Sequence, residues 1–329
     1  MKKHRSLVLG IDTSNYKTSV SLVDTDGNII CNYQEFLEVK KGERGLRQSN
    51  ALFQHVIKLP KLIEAAMSHV DPKDVVGIAV SDRPRPVEGS YMPVFHAGVA
   101  TARTLGAALQ VPVEYFSHQE GHIEAVRYDS PMKTEEKLIC FHFSGGTSEA
   151  LMVEEKKDAA MKIDIVGGSK DLAFGQVLDR LGVALGMNFP SGREMDETAC
   201  KTALQKQTIL LPKIKCVDGY INLSGLETKC QRSIGAVSDE QLIAMTFYRL
   251  AEAMETMCRQ LADQYRVKKF LFAGGVSSSQ YIRAYLRTQL TDFEICFGDP
   301  KLSTDNAVGI ALLGGKKYGA KTNYGFTTE

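Results

Sequence analysis

Residues 7–33, LVLGIDTSNYKTSVSLVDTDGNIICNY, decide how the rest of the chain is read. The apolar run Leu7–Ile11 stops at Asp12-Thr13-Ser14. A second run, Ser19–Val23, follows almost at once, and the turn DTDGN leads into Ile29–Tyr33. Short apolar runs broken by Asp, Thr, Gly and Asn predict three strands of an antiparallel meander. Further on, apolar or small residues at 52, 56, 59, 62, 63, 66 and 67 recur with helical period. Val75–Val80 reads as a buried strand ending at Ser81-Asp82-Arg83-Pro84, His96–Leu109 as a helix, and Val111–Phe116 as another strand.

The series then begins again. Leu138–Phe143 ends at Ser144-Gly145-Gly146-Thr147-Ser148, and Glu149–Glu154 returns from it. A long helix is predicted after Asp239. Lys268–Ala273 reads as a buried strand ending at Gly274-Gly275-Val276, followed by a helix, a strand at Phe293–Phe297 and a last helix after Asp305. A duplicated α/β fold follows from this repeated order. It sets two hairpin loops face to face across a nucleotide cleft, each offering backbone N–H groups and hydroxyls, Thr13 and Ser144 among them, to a polyphosphate. The expected domains are 1–130 and 131–329. The charged stretch 155–235 reads as an insertion into the second, and the final helix as packing back on the first.

Composition narrows the class. At 329 residues and 43% hydrophobic the chain has material for two domains. Lys+Arg 40 against Asp+Glu 39 leaves a formal charge of +1, so no global basic footprint argues for nucleic acid, although a local patch suffices. The cysteines, Cys31, Cys140, Cys200, Cys216, Cys230, Cys258 and Cys296, are odd in number with no C-x-x-C pair. Reduced thiols in a cytoplasmic protein are expected. The first apolar run is too short for a signal-peptide core, and no stretch reads as a membrane span.

The sharpest local signal is His118-Gln119-Glu120-Gly121-His122. Two imidazoles at i and i+4 share a helical face and can reach one metal ion. A zincin places its glutamate directly after the first histidine; here Gln119 stands there, so peptide hydrolysis by that route lacks its base. Asp305, before the last helix, is read either as a helix cap or as a carboxylate closing the histidine site. Glycine pairs at Gly145-Gly146, Gly167-Gly168 and Gly274-Gly275 are expected as loops after strands, consistent with a nucleotide cleft yet matching neither a P-loop nor a G-x-G-x-x-G fingerprint. Asp196 is a candidate partner for a ribose. Asp171 and Asp179 read as helix caps or as paired carboxylates. His55, His69 and His142 read as structural.

These residues together resemble the tRNA-modifying threonylcarbamoyltransferase family, formerly described as glycoproteases. The family's G-I-E-T-S, H-M-E-[GA]-H, S-G-G, S-G-L, G-G-V and T-D-N-A motifs find counterparts in order. They are Gly10–Ser14, His118–His122, Ser144–Gly146, Ser224–Leu226, Gly274–Val276 and Thr304–Ala307. The resemblance implies an actin-like, hexokinase and heat-shock ATPase fold. It implies a divalent metal (zinc, iron, manganese or magnesium) on His118, His122 and Asp305, and ATP or an acyl-adenylate as ligand. Thr13, Ser144, Gly145, Gly146, Gly192, Asp196, Gly274, Gly275 and Ser279 would contact the nucleotide, with Ser144 and Asp171 at the reacting groups. The partners implied are tRNA, an adenylate-forming enzyme and accessory proteins of a modification complex, with no membrane.

The chain departs from the family pattern at several positions. Thr147 replaces a loop histidine. Leu172 and Gln176 replace two carboxylates of D-D-A-x-G-E, and Asn15-Tyr16-Lys17 stands where C-D-E is usual. Ser279 takes the place of an asparagine, and Pro84–Val87 that of G-P-G-L. A transferase acting on N6 of a tRNA adenine is the leading expectation. A nucleotide-binding regulator that no longer transfers, and a small-molecule kinase or carbamoyltransferase on the same fold, are the alternatives.

Overall fold

Six consecutive buried residues, Leu7–Asp12, form the central strand β1 of the first half in the computed structural model. The model describes residues 5–14, 17–38, 46–128, 130–155, 161–204, 210–299, 302 and 306–323. β2 (Lys17–Asp24) and β3 (Ile29–Phe36) continue from β1 as an antiparallel meander. Their turn closes on Asp24, whose carboxylate accepts from the backbone N–H of Asp26 and Asn28 at 3.1 and 2.8 Å. Gly27 there takes a φ of 89°, open to glycine at no steric cost. β4 (Val75–Arg83) and β5 (Val113–Ser117) add in parallel beyond β1, giving the order β3-β2-β1-β4-β5.

Alternation sorts the two faces of this sheet. Leu7, Leu9, Ile11, Val20 and Leu22 pack with Leu59, Leu62, Ala66, Ala97 and Ala102 from α1 (Gln48–Met67) and α2 (Phe95–Leu109). Gly10 belongs to the other face. A Cβ there would lie 2.6 Å from the Ala311 Cβ, because the last helix, α9 (Val308–Asn323), rests directly on the strand. α3 (His118–Arg127) starts without a linker where β5 stops.

The second sheet repeats the plan. β6 (Lys137–Phe143) pairs antiparallel with β7 (Ser148–Glu155), and β8 (Met161–Ser169) lies next to β7. On the far side of β6 come β11 (Lys269–Ala273) and β12 (Glu294–Phe297), both parallel to it or to each other. With the short β9 (Cys216–Val217) and β10 (Tyr220–Ile221) at its edge, the order is β12-β11-β6-β7-β8-β10-β9. Leaving out β9 and β10, third, second, first, fourth and fifth strands stand in the same sequence in both sheets. That shared order bears out the duplication. α4 (Phe174–Ala184), α5 (Gly192–Lys201) and α6 (Ser224–Ser233) lie between β8 and the long α7 (Asp239–Tyr265), and α8 (Gln280–Gln289) joins β11 to β12. Stacked rings, Phe141 on Phe272 at 5.1 Å and Phe143 on Phe174 at 4.6 Å, centre this core.

One expectation is corrected. Gly167-Gly168 is not a loop after a strand; both residues lie inside β8. A Cβ at Gly167 would meet the Gly219 carbonyl oxygen at 2.5 Å. One at Gly168, whose φ is 139°, would meet that of Ser148 at 2.4 Å. Close backbone approach, not ligand binding, accounts for the pair.

By contacts the chain forms two compact units. One takes the described residues of Met1–Tyr128, Glu155–Met161 and Lys301–Glu329, the other those of Asp129–Glu154 and Lys162–Pro300. Among the described residues no helix is long and apolar enough to cross a membrane.

Candidate metal and nucleotide sites

In the first unit the site is built where β5 runs into α3. Ser117 ends the strand and caps the helix: its Oγ accepts from the Glu120 N–H at 3.2 Å, and Glu120 Oε2 accepts from the Ser117 N–H at 2.7 Å. This capping box uses the glutamate of the H-Q-E-G-H stretch, which is why that carboxylate serves no histidine face. The Pro84 carbonyl accepts from the Gln119 N–H at 3.1 Å and takes up another orphan donor of the first turn.

With the helix start fixed, His118 and His122 stand on successive turns, ring centroids 4.3 Å apart and nearly perpendicular. His118 Nδ1 donates to Asp12 Oδ1 at 3.0 Å. Asp12 is fully buried at the end of β1, and its carboxylate also accepts from the hydroxyls of Ser14, at 2.7 Å, and Ser81. Burial opposes the charge on Asp12; the His118 ring and these two hydroxyls overcome it and hold the carboxyl below its usual range. A carboxylate at Nδ1 fixes the tautomer whose Nε2 carries the lone pair, the arrangement found behind metal-ligating histidines. The donor chemistry therefore fits a divalent cation. Sequence reasoning gave Asp12 and Ser81 no such role. The available signal was an aspartate ending an all-apolar strand.

Asp305, the third expected ligand, lies outside the described residues, as do Asn15, Tyr16 and Thr304. At the start of α9, Asn306 Oδ1 accepts from the Val308 N–H at 3.0 Å. Thr13 is buried, with its hydroxyl donating to the Val94 carbonyl at 3.0 Å and accepting from the Gly98 N–H at 3.2 Å. It pins the loop to α2. Lys17, where the family shows a carboxylate, donates to Gln34 Oε1 at 2.9 Å and lies 4.6 Å from the centroid of the Phe36 ring.

The second unit holds the remaining residues. Because β6 and β11 are parallel neighbours, the loops leaving their carboxyl ends, Ser144–Gly146 and Gly274–Gly275, lie side by side. A Cβ at Gly274 (φ 90°) would stand 2.3 Å from the Phe143 carbonyl oxygen. Ser144 Oγ accepts from the Thr147 N–H at 3.1 Å and the Ser144 N–H donates to the Thr147 carbonyl at 2.8 Å, closing a tight turn. A Cβ at Gly145, Gly146, Gly192 or Gly275 would meet nothing within 4 Å among the described residues, so all four border open space. The carboxyl ends of parallel strands are where α/β sheets bind ligands.

Three carboxylates bond to the scaffold. Asp171 accepts from the N–H groups of Leu172, Leu223 and Ser224 at 2.6, 2.7 and 3.0 Å. Desolvation works against its charge, but the bonds from Leu223 and Ser224 hold its carboxyl far below the usual range. Asp196, expected at a ribose, accepts from Ser279 Oγ and from the N–H groups of Gln280 and Tyr281 at 2.5, 2.8 and 3.2 Å, capping α8. Asp179 accepts from the Ser191 N–H at 2.9 Å, tying α4 to the loop before Gly192. The departures from the family have local roles as well. Leu172 packs against the core, and Gln176 Oε1 accepts from the Ala173 N–H at 2.9 Å at the start of α4.

Comparison with known proteins places these features. A family model described as tRNA N6-adenosine threonylcarbamoyltransferase matches residues 30–312. A curated protein of that description from Enterococcus faecalis is 30% identical, covering 94% of this chain and 89% of its own. One from Ligilactobacillus salivarius is 28% identical over 95% and 92%. Among solved structures, T. kodakarensis HypF aligns with a TM-score of 0.63 at 13% identity, over 97% of this chain and 48% of that one. Component A of the Acidaminococcus fermentans (R)-2-hydroxyglutaryl-CoA dehydratase aligns with a TM-score of 0.56 at 15% identity, over 95% and 99%. These likenesses carry the fold, the actin-like one that the family resemblance implies.

Proposed function

The chain belongs to the tRNA N6-adenosine threonylcarbamoyltransferase family, and from that premise we propose that it transfers a threonylcarbamoyl group from an adenylate to N6 of an adenine in tRNA. The observation that carries the reading on this chain's own residues is the Asp12–His118–His122 arrangement. It is a histidine pair with one tautomer set by a buried carboxylate, in a motif that aligns with the family's metal motif. His118, His122 and Asp305 would hold a divalent cation. Bound there, such a cation supplies Lewis-acid polarisation of phosphate and carbonyl oxygens.

The residues of the second unit would take the adenylate. The Ser144–Gly146 turn would lie along the phosphates, and the open faces at Gly145, Gly146, Gly192 and Gly275 leave room for the nucleotide. Asp171 is a poor proton acceptor with its carboxyl so strongly hydrogen-bonded. Its part is positioning: it holds Leu223 and Ser224 next to the loop before α4. Asp196 with Ser279 likewise holds α5, where Gly192 sits, against the segment that follows Gly274-Gly275.

The test is reconstitution. Metal-loaded protein, L-threonine, bicarbonate, ATP, an adenylate-forming enzyme and unmodified tRNA should yield N6-threonylcarbamoyladenosine, read by mass spectrometry of digested tRNA. No product from components that are active with another family member would overturn the proposal. Nucleotide binding without product would point to the regulator reading.

A further inference from the structure

The backbone leaving the carboxyl ends of β11 and β12 is tied together by one side chain. Arg283 of α8 donates from Nε to the Ser277 carbonyl at 2.8 Å and from Nη2 to the Gly298 carbonyl at 2.9 Å. Ser277 belongs to a single turn of 3₁₀ helix, Val276–Ser278, directly after Gly274-Gly275, and Gly298 directly follows β12. The guanidinium carbon lies 5.2 Å from the centroid of the Phe297 ring. That ring stacks on Phe272 at 4.9 Å, and Phe272 on Phe141 at 5.1 Å. The clasp therefore rests on side chains from three neighbouring strands.

The type of side chain is informative. Arg283 is half-buried and has no ion pair among the described residues. A desolvated cation with carbonyls rather than a carboxylate for partners recovers little of its desolvation cost. A planar fork aimed at two carbonyls is what arginine offers and lysine does not. The bonds serve the geometry of the two segments more than stability. The loop held in this way borders open space. A Cβ at Gly275 would meet nothing within 4 Å, whereas Gly274 lies against the Phe143 carbonyl, one residue before the Ser144 turn. Asp196 takes the hydroxyl of Ser279 and the N–H groups of Gln280 and Tyr281. Residues 277–281 are thus held twice, by Arg283 at their start and by Asp196 at their end.

Resting on the nucleotide reading above, we infer that Arg283 presets the 274–277 loop for an adenine nucleotide. It is a positioning residue that acts through the Ser277 carbonyl, and it raises affinity by sparing the ligand the cost of ordering the loop. Calorimetric titration of the full-length protein with ATP reads this without any transfer assay. Wild type should bind one equivalent. Gly275→Phe, which fills the open face at a residue of ordinary helical φ (−61°), should abolish binding. Arg283→Met should weaken it about tenfold or more. Arg283→Lys, which keeps the charge but not the fork, should recover little of that loss. Arg287→Met and Arg259→Met are the controls. Arg287 lies 5.3 Å from the same ring centroid but makes no hydrogen bond among the described residues. Arg259 of α7 is a comparable clasp at the far end of α8. It donates to the Gln289 carbonyl at 2.6 Å, with its guanidinium carbon 5.6 Å from the Phe293 ring centroid. Arg259→Met should lower the melting temperature as Arg283→Met does, and both controls should keep wild-type ATP affinity. Wild-type affinity in Arg283→Met and Arg283→Lys, or equal loss in Arg259→Met, overturns the inference. Absence of ATP binding in wild type, or undiminished binding in Gly275→Phe, overturns the nucleotide reading instead. If circular dichroism shows Arg283→Met unfolded, Arg283→Lys decides alone.

Discussion

Asp12 and His55 show how much single buried polar residues carry in the first unit. Asp12 loses its hydration entirely and regains it as three bonds, to His118, Ser14 and Ser81. Asp12→Asn keeps the shape and removes the charge behind Nδ1. It should reduce metal affinity by about 10- to 100-fold, measured by Zn²⁺ titration of metal-stripped protein against a chromogenic chelator, with a smaller change in melting temperature. His55 on α1 is fully buried, its Nδ1 2.8 Å from the Thr18 hydroxyl and its Nε2 without a hydrogen-bond partner among the described residues. Burial lowers its pKa from 6.5 to about 4, with nearby Asp12 pulling the other way. Below pH 6.5 the unfolded chain takes up this proton before the folded one does. Stability present above pH 6.5 is therefore lost as pH falls toward 4, by an amount on the order of 3 kcal/mol. Urea unfolding between pH 7.5 and 4.5 should show that slope, and His55→Gln should flatten it. A wild-type profile no steeper than the variant's would contradict the assignment.

At the scale of elements, helix starts do the positioning. α3 begins with a capping box, α8 with Asp196 and Ser279, and α6 with the bonds that Leu223 and Ser224 give to Asp171. Glu120→Ala should lower stability by about 1 kcal/mol, seen as a reduced urea midpoint, while Glu120→Gln, which keeps an acceptor, loses less. Asp196→Ala should cost about 1 to 2 kcal/mol and weaken adenine-nucleotide binding in calorimetry by freeing α8 from α5. Unchanged nucleotide affinity in a folded Asp196→Ala protein would remove that carboxylate from the nucleotide site. The strands and most helices were legible beforehand, because period-2 and period-3.6 patterns come from one-sided burial that the chain carries locally. The misreading of Gly167-Gly168 has a local cause. A glycine pair looks the same whether its neighbour is a ligand or another stretch of backbone.

For the whole molecule, the two units should answer to different ligands. Zn²⁺ should slow amide hydrogen exchange in α3 and the first turns of α9. ATP should slow it at residues 144–147 and 274–276. Equal protection of both sets by either ligand alone would contradict this division of labour. Ligand present at about 100 times its dissociation constant should add about 2.7 kcal/mol of stability, which thermal melts can follow.

From its sequence alone the chain determined the repeated strand order, the histidine pair on one helical face and the family motifs, since each depends on residues close together along the backbone. The tertiary structure decided the partners: Asp12 behind His118, Asp171 on Leu223 and Ser224, Asp196 on α8, and α9 pressed on β1 and α3 through Gly10, Gly121 and Gly309. Those contacts join residues far apart in the chain, and local propensity has no term for them. Only the packed backbone sets which buried polar group meets which.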